Sequence, residues 1–389
     1  MATTFMRRAF LKKSALLTGG LISLPAVFNN ANAAPEAAGN IQDAHFYHPD
    51  QVAFETTPPD IVARLLANEN PFGPSAKAKK AIIESIDLAY QYPMKSVKEL
   101  EQKITEYEGL GNNQILLGSG SSPLLAAAAL LFGKGTIVSA NPTYDAMLGQ
   151  AEKLGTKVIK VPLTAEYAFD LDAMEKVIDS NTSLVYICNP NNPTATVTDN
   201  AKLKAFCERV SKKTTVFVDE AYIDYLENPQ DASLIGSIKK GQNILVARTF
   251  SKLYGFAGLR VGYIVGLPDL INKLSLYTAG PWSISSLALN AAIVAFQDKE
   301  FLQSAFSKTM ESKKFLYETL KTEGYEYIPS SANFVMFPLK MDGPRFAEEM
   351  MKRGVGIRSW KFNGKDWCRV SIGKMEEMQA FAKAFKELS

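Results

Sequence analysis

The chain has 389 residues, 47% of them hydrophobic, and a formal net charge of +3. That is enough apolar sequence for a large core and two domains. Residues 1–33 carry Arg7, Arg8, Lys12 and Lys13 and no acid. Without them the balance falls to about −1, which argues against nucleic acid or an anionic membrane surface as a partner.

Those 33 residues read as a leader. A basic start, Arg7-Arg8-Ala9-Phe10-Leu11-Lys12-Lys13, precedes an apolar run from Ala15 to Phe28, which ends at Ala31-Asn32-Ala33. A charged, an apolar and a small-residue part in that order make an export signal with cleavage near Ala33. The run is interrupted by Gly19, Gly20 and Pro25 and is too short for a membrane span, so the mature chain is expected to have none. Arg7-Arg8 ahead of Phe10-Leu11-Lys12 resembles the twin-arginine type of signal, which exports folded proteins, and the expected destination is the periplasm.

Residues 34–75 lack clear periodicity at first and form an N-terminal arm. Helical patterns follow at Ala76–Tyr90 and Ser96–Glu108, then a short apolar strand at Gln114–Leu117, a glycine loop and an alanine-rich helix at Leu124–Phe132. Apolar strands recur at Thr136–Ser139, Lys157–Val161, Leu184–Cys188, Val216–Val218, Ile244–Ala247 and Val261–Val265. Short, continuously apolar strands alternating with helices predict a largely parallel sheet covered on both faces, here over 76–281. Beyond Pro281 come a long helical region to about Gly324, strands near Asn333–Phe337 and Trp367–Ile372, and helices at Gly343–Arg353 and Met375–Leu388. These predict a smaller α/β domain over 282–389.

In an open parallel sheet, ligands sit outside the carboxyl ends of the strands. The segments that follow the strands are Gly118–Ser122, Asn141–Tyr144, Asn189–Pro193, Asp219–Tyr222 and Arg248–Lys252. Glycines, hydroxyls, aromatics, an amide, a carboxylate and a lysine therefore converge on one edge. Gly118–Ser122, between strand and helix, suits a phosphate. A dinucleotide site is excluded, because Pro123 replaces the third glycine of that motif and the next strand ends in Asn141-Pro142, with no ribose-binding acid. The three cysteines are widely spaced and without a CxxC pair, so no disulfide framework is indicated. His45 and His48 are the only histidines, which argues against a histidine triad or a metal site.

Several segments carry a family resemblance: Ala67–Pro74, Tyr92-Pro93, Asn141–Tyr144, Asn189–Thr194, Val218–Tyr222, Thr249–Arg260, Ala332–Phe334, and Arg358 with Arg369. In this order, over about 65–388, the chain resembles the fold-type I pyridoxal-phosphate aminotransferases of class I/II, most of all the histidinol-phosphate aminotransferases. The resemblance implies an α/β fold with a mainly parallel seven-stranded sheet and a smaller C-terminal domain. It implies pyridoxal 5′-phosphate as cofactor and Lys252 as its covalent attachment, with a pKa lowered by burial and neighbouring cations. Asp219 would keep the pyridine nitrogen protonated, Asn192 and Tyr222 would bond the ring oxygen, and Tyr144 would stack on the ring. The phosphate would be held by Ser121, Ser122, Thr249, Ser251 and Arg260, with Tyr92 reaching the site of a second subunit in a homodimer with shared active sites. Arg369 would clamp the substrate carboxylate, Arg358 its distal group, and Asn70 would also face substrate.

The implied reaction moves an amino group from an amino acid or amine donor to a 2-oxo acid acceptor by a ping-pong route. The alternative is a decarboxylase, lyase or cyclase on the same scaffold, since Lys252 and Asp219 serve all of these. Two departures stand out. Ala195 occupies a position where the family has glycine, which puts the shape of that turn in question. The usual Tyr-x-Pro-Gly segment ahead of Ala67 is not recognisable.

Overall fold

The computed structural model describes residues 60–389. The expected export signal at 1–33, the arm up to residue 59, and both histidines lie outside the described residues.

Seven strands form the main sheet: β2 (Ile115–Gly118), β3 (Thr136–Asn141), β4 (Val158–Pro162), β5 (Thr182–Cys188), β6 (Thr215–Asp219), β7 (Ile244–Thr249) and β8 (Gly262–Val265). Their spatial order is β2-β8-β7-β6-β5-β3-β4. All neighbours from β7 to β4 run parallel, and β8 alone is antiparallel, to both β7 and β2. Every residue of β6, β7 and β8 is buried. A strand covered on both faces cannot alternate apolar with polar, which is why these read as continuous apolar runs.

The core around this sheet continues past Pro281. The predicted long helical region is two helices, Ser286–Gln297 and Lys299–Thr322, each entered at a polar residue. The Ser285 hydroxyl accepts the Ala288 N–H at 3.2 Å and caps the first. That helix buries Ala288, Leu289, Ala291, Ala292, Ile293 and Ala295 in the same cluster as the main sheet. At the other end, the predicted helix 76–90 stops at Glu84 and continues as a tight turn, Ile86–Leu88.

A second core is built on a three-stranded antiparallel sheet in the order β11 (Arg358–Phe362), β12 (Lys365–Ser371), β9 (Phe334–Pro338). The helices Gly343–Lys352 and Met375–Lys386 contribute Phe346, Met350, Phe381 and Phe385 to it. The arm contributes too. The short strand β1 (Ala63–Arg64) pairs in parallel with β10 (Val355–Gly356), and Ala63 and Leu65 are buried with the C-terminal core. β1, β10 and β11 carry no strand signal in the sequence, since two-residue pairings and the mixed Arg-Ser-Trp-Lys-Phe have no clean period.

Behind the main sheet's carboxyl edge, Arg248 is buried with Glu220. Its Nε donates to Glu220 Oε2 at 2.8 Å and its Nη2 to the Ser233 hydroxyl at 3.0 Å. The remaining Glu220 oxygen accepts the Leu234 N–H at 2.7 Å. Losing one member of such a pair strands a buried charge, at a typical cost of about 3–5 kcal/mol. The network fixes the ends of β6 and β7, from which Asp219 and Lys252 project. Among the described residues no helix is long and apolar enough to cross a membrane.

Candidate active site

The carboxyl ends of the sheet open into a cavity of about 260 Å³. It is lined by Ser121, Ser122, Tyr144, Asn192, Asp219, Tyr222, Thr249, Ser251, Lys252, Arg260, Arg358 and Arg369. Two residues expected here stand elsewhere. The Asn70 amide donates to the Leu253 carbonyl at 2.6 Å while its Oδ1 accepts the Phe72 N–H at 3.0 Å, so it braces the chain beside Lys252 instead of facing substrate. Tyr92 is 88% exposed, ahead of the helix Met94–Glu108.

Asp219 ends β6 and is 1% exposed. Its Oδ1 accepts the Ala221 N–H at 3.1 Å and its Oδ2 the Tyr186 hydroxyl at 3.2 Å. Burial pushes its carboxyl up to about 6. Each oxygen has a single neutral donor, so a cationic N–H from a ligand would find both charge and vacant lone pairs.

Lys252 follows β7. Its Nζ donates to the Asn68 carbonyl at 3.2 Å and lies 5.2 Å from the centre of the Tyr222 ring. Burial first, and then repulsion from Arg369, bring its amine down to about 8. A neutral amine is the nucleophilic form, and this shift makes it available near neutrality.

At one end of the cavity is an anion cradle. The helix Ser121–Phe132 starts behind Gly120, at φ +82°, with no side-chain cap, so its first N–H groups are open to an anion. A Cβ on Gly120 would stand 2.3 Å from Arg260 Nη2, which only glycine allows. Arg260 itself adopts φ +60°, a strained setting for a side-chain-bearing residue, and its Nη1 donates to the Ser251 hydroxyl at 3.3 Å. The Thr249 hydroxyl donates to Ser251 Oγ at 3.0 Å. The Tyr144 hydroxyl meets Ser122 beside this cradle, and burial raises its pKa.

At the other end Arg369, on β12, is 2% exposed. Its Nη1 donates to Asn192 Oδ1 at 2.7 Å and its Nη2 to the Leu66 carbonyl at 2.9 Å, both neutral acceptors. Its Nε is buried and, among the described residues, has no acceptor. Burial opposes the charge and Arg358 adds to the effect, with Tyr222 acting the other way. A buried guanidinium so placed is matched to an incoming carboxylate or phosphate.

Asn68 joins these parts and was missed as a site residue, although it lies in the Ala67–Pro74 motif. Held at φ +53°, it donates Nδ2 to the Tyr222 hydroxyl at 3.0 Å and accepts the Ser371 hydroxyl on Oδ1 at 2.9 Å. Asn333 Nδ2 donates to the Asn68 and Glu69 carbonyls at 3.1 and 3.2 Å. Tyr186 was missed as well; inside an apolar strand it gave no signal. Ala195, in the turn where glycine was expected, takes φ +60°, so the left-handed turn is kept with a side chain present.

The model of the family described as aminotransferase class I and II matches residues 60–385. The chain belongs to this family. Histidinol-phosphate aminotransferase 1 of Bacillus cereus is 36% identical over 330 residues, covering 84% of this chain and 89% of that protein. A solved putative histidinol-phosphate aminotransferase from Erwinia carotovora atroseptica superposes with TM-score 0.80 at 30% identity, covering 86% of this chain and 98% of that one. The histidinol-phosphate aminotransferase of Sinorhizobium meliloti, solved in complex with pyridoxal-5′-phosphate, gives TM-score 0.78 at 24% identity, over 92% and 100% of the two chains, and speaks to the fold.

For this aminotransferase the depressed amine of Lys252 has a direct consequence. In the cofactor-free protein, the reaction of Lys252 with an aldehyde reagent rises with pH and levels off above about 8. Peptide mapping after reductive labelling across pH 6–11 reads it; a midpoint near the ordinary lysine value would refute the cavity electrostatics.

Proposed function

We propose that the chain is a pyridoxal-phosphate aminotransferase of the histidinol-phosphate aminotransferase type, passing an amino group from an amino acid or amine to a 2-oxo acid. The observation that carries this is one cavity holding Lys252 and Asp219 between an anion cradle and a buried guanidinium without a carboxylate. The residues fit the cofactor: the Gly120–Ser122 and Arg260 cradle suits its phosphate, and buried Asp219 suits a protonated ring nitrogen. When bound, pyridoxal phosphate supplies an electron sink for charge developing at the donor's Cα.

The chain's own residues supply the rest. Asp219 would pair with the protonated ring nitrogen, and that cation would in turn keep the carboxylate ionised. Asn192 and Tyr222 would bond the ring oxygen, and Tyr144 would pack on the ring. Arg369 binds the donor carboxylate or another anionic group and so orients Cα, with Arg358 beside it. Lys252 Nζ is the base placed to take the proton from Cα and to return it when the acceptor is aminated. Donor and acceptor use the same cavity in turn, which gives ping-pong kinetics.

The test is glutamate formation from 2-oxoglutarate with a panel of donors that includes histidinol phosphate. Lys252→Ala is expected to lose activity by about 10⁴-fold or more and to lose the visible absorbance of the loaded protein. Release of carbon dioxide from the donors without glutamate would select the decarboxylase reading instead.

Two further parts of the reading concern assembly and location. Tyr92, exposed on one chain, is suited to a neighbouring subunit's phosphate in a homodimer. Mixed dimers of Lys252→Ala and Tyr92→Phe chains should then be more active than either parent, because one of their two sites is intact. Mixing that restores nothing would count against shared sites. The leader sequence is read as a twin-arginine signal for periplasmic export of the folded, loaded enzyme. Changing Arg7 and Arg8 together to lysine should leave the protein in the cytoplasm; unchanged periplasmic yield would rule that route out.

A further inference from the structure

Arg358 and Arg369 face one another as direct partners across the antiparallel ladder of β11 and β12. Like charges in that relation destabilise a sheet. The hydrogen bonds of Arg369 go to neutral oxygens, and both residues line the cavity.

What meets both is the indole of Trp360. Its ring lies 4.6 Å from Arg369 Cζ and 5.9 Å from Arg358 Cζ. Phe334 approaches Arg369 as well, 5.3 Å from Cζ. Two residues along the strand from Arg358, Trp360 shares its face of the sheet. It stands opposite Trp367 in the ladder. Trp367 is itself fixed, stacked on Phe362 at 4.7 Å and edge-on to Tyr167 at 5.5 Å. The negative face of an aromatic ring attracts a guanidinium, most of all where water is excluded. Trp360 is not among the residues that line the cavity.

We propose that Trp360 is a positioning residue for substrate: a shared aromatic platform that holds the Arg358 and Arg369 forks toward the substrate's anionic group. This rests on the reading of Arg369 as the carboxylate clamp. An aliphatic residue at 360 removes the π face that both guanidiniums meet, and anion binding weakens while the chemistry at Cα does not.

The experiment compares Trp360→Leu and Trp360→Phe in the loaded enzyme, with maleate as a non-reacting dicarboxylate probe and 2-oxoglutarate as acceptor. Trp360→Leu should raise the maleate inhibition constant and the acceptor KM about tenfold, with kcat changed less than threefold. Trp360→Phe, which keeps a π face, should stay within about threefold of wild type on all three. If the leucine chain fails to fold, Trp360→Met takes its place as the aliphatic replacement. Equal effects of aliphatic and aromatic replacements, or a loss confined to kcat, overturn the proposal.

Arg369→Lys separates this from the reading beneath it. A large rise in the maleate constant for Arg369→Lys, with none for Trp360→Leu, keeps the clamp and removes the platform. No rise for Arg369→Lys removes both. In the Arg369→Lys background, Trp360→Leu should add less than it does alone, because the fork it supports has gone.

Discussion

Among the described residues, four cationic side chains, Lys252, Arg260, Arg358 and Arg369, line one cavity together with two carboxylates, Asp219 and Glu69. That imbalance is the constraint on which the site depends. Glu69 is partly committed already, since Arg64 Nε donates to it at 2.8 Å. Burial first, and then repulsion from Arg369, depresses the Lys252 amine, and the excess positive charge suits anionic ligands. Under the proposed function, the cofactor's phosphate would offset this charge at Arg260 and an anionic substrate at Arg369.

Holding such groups together takes a rigid frame, and the frame is made of neutral hydrogen bonds. Asn68 is the node: through its backbone and amide it reaches Lys252, Tyr222, Ser371 and Asn333. It links the strand ends of the main sheet to β9 and β12 of the second core. Asn70, a turn further on, ties the same segment to the Leu253 carbonyl. Close backbone contact seals the joint: a Cβ on Gly255 would stand 2.6 Å from the Gly73 Cα. The Asn-Glu-Asn-Pro segment thus fixes the position of the Lys252 amine.

Much of this was legible in the residues. The seven strands of the main sheet could be read because strands buried on both faces are continuously apolar, as β6 and β7 show. The residues after each strand could be read as a site because parallel topology gathers those ends on one edge. The second domain was harder. β11 carries both an arginine of the site and its aromatic support in a mixed sequence without alternation, and its strand character comes from pairing with β12. Asn70 sits in a motif of the site while its amide bonds the Leu253 carbonyl. Tyr186 was invisible, since a strand tyrosine looks like packing until its hydroxyl is found on Asp219.

By itself the sequence determined the alternation of strands and helices, the edge of the sheet where polar groups gather, and the lysine, aspartate and arginines that gather there. These are properties of local periodicity and of side-chain type, which a chain carries wherever it folds. Only the tertiary structure decided which groups share an environment. It brought Asn68 to Lys252 across 184 residues of chain, and Asn192 to Arg369 across 177. It set Arg358 opposite Arg369 with Trp360 against both. Burial and through-space charge set the amine at about 8 and the carboxyl at about 6, and neither exists until distant segments have packed together.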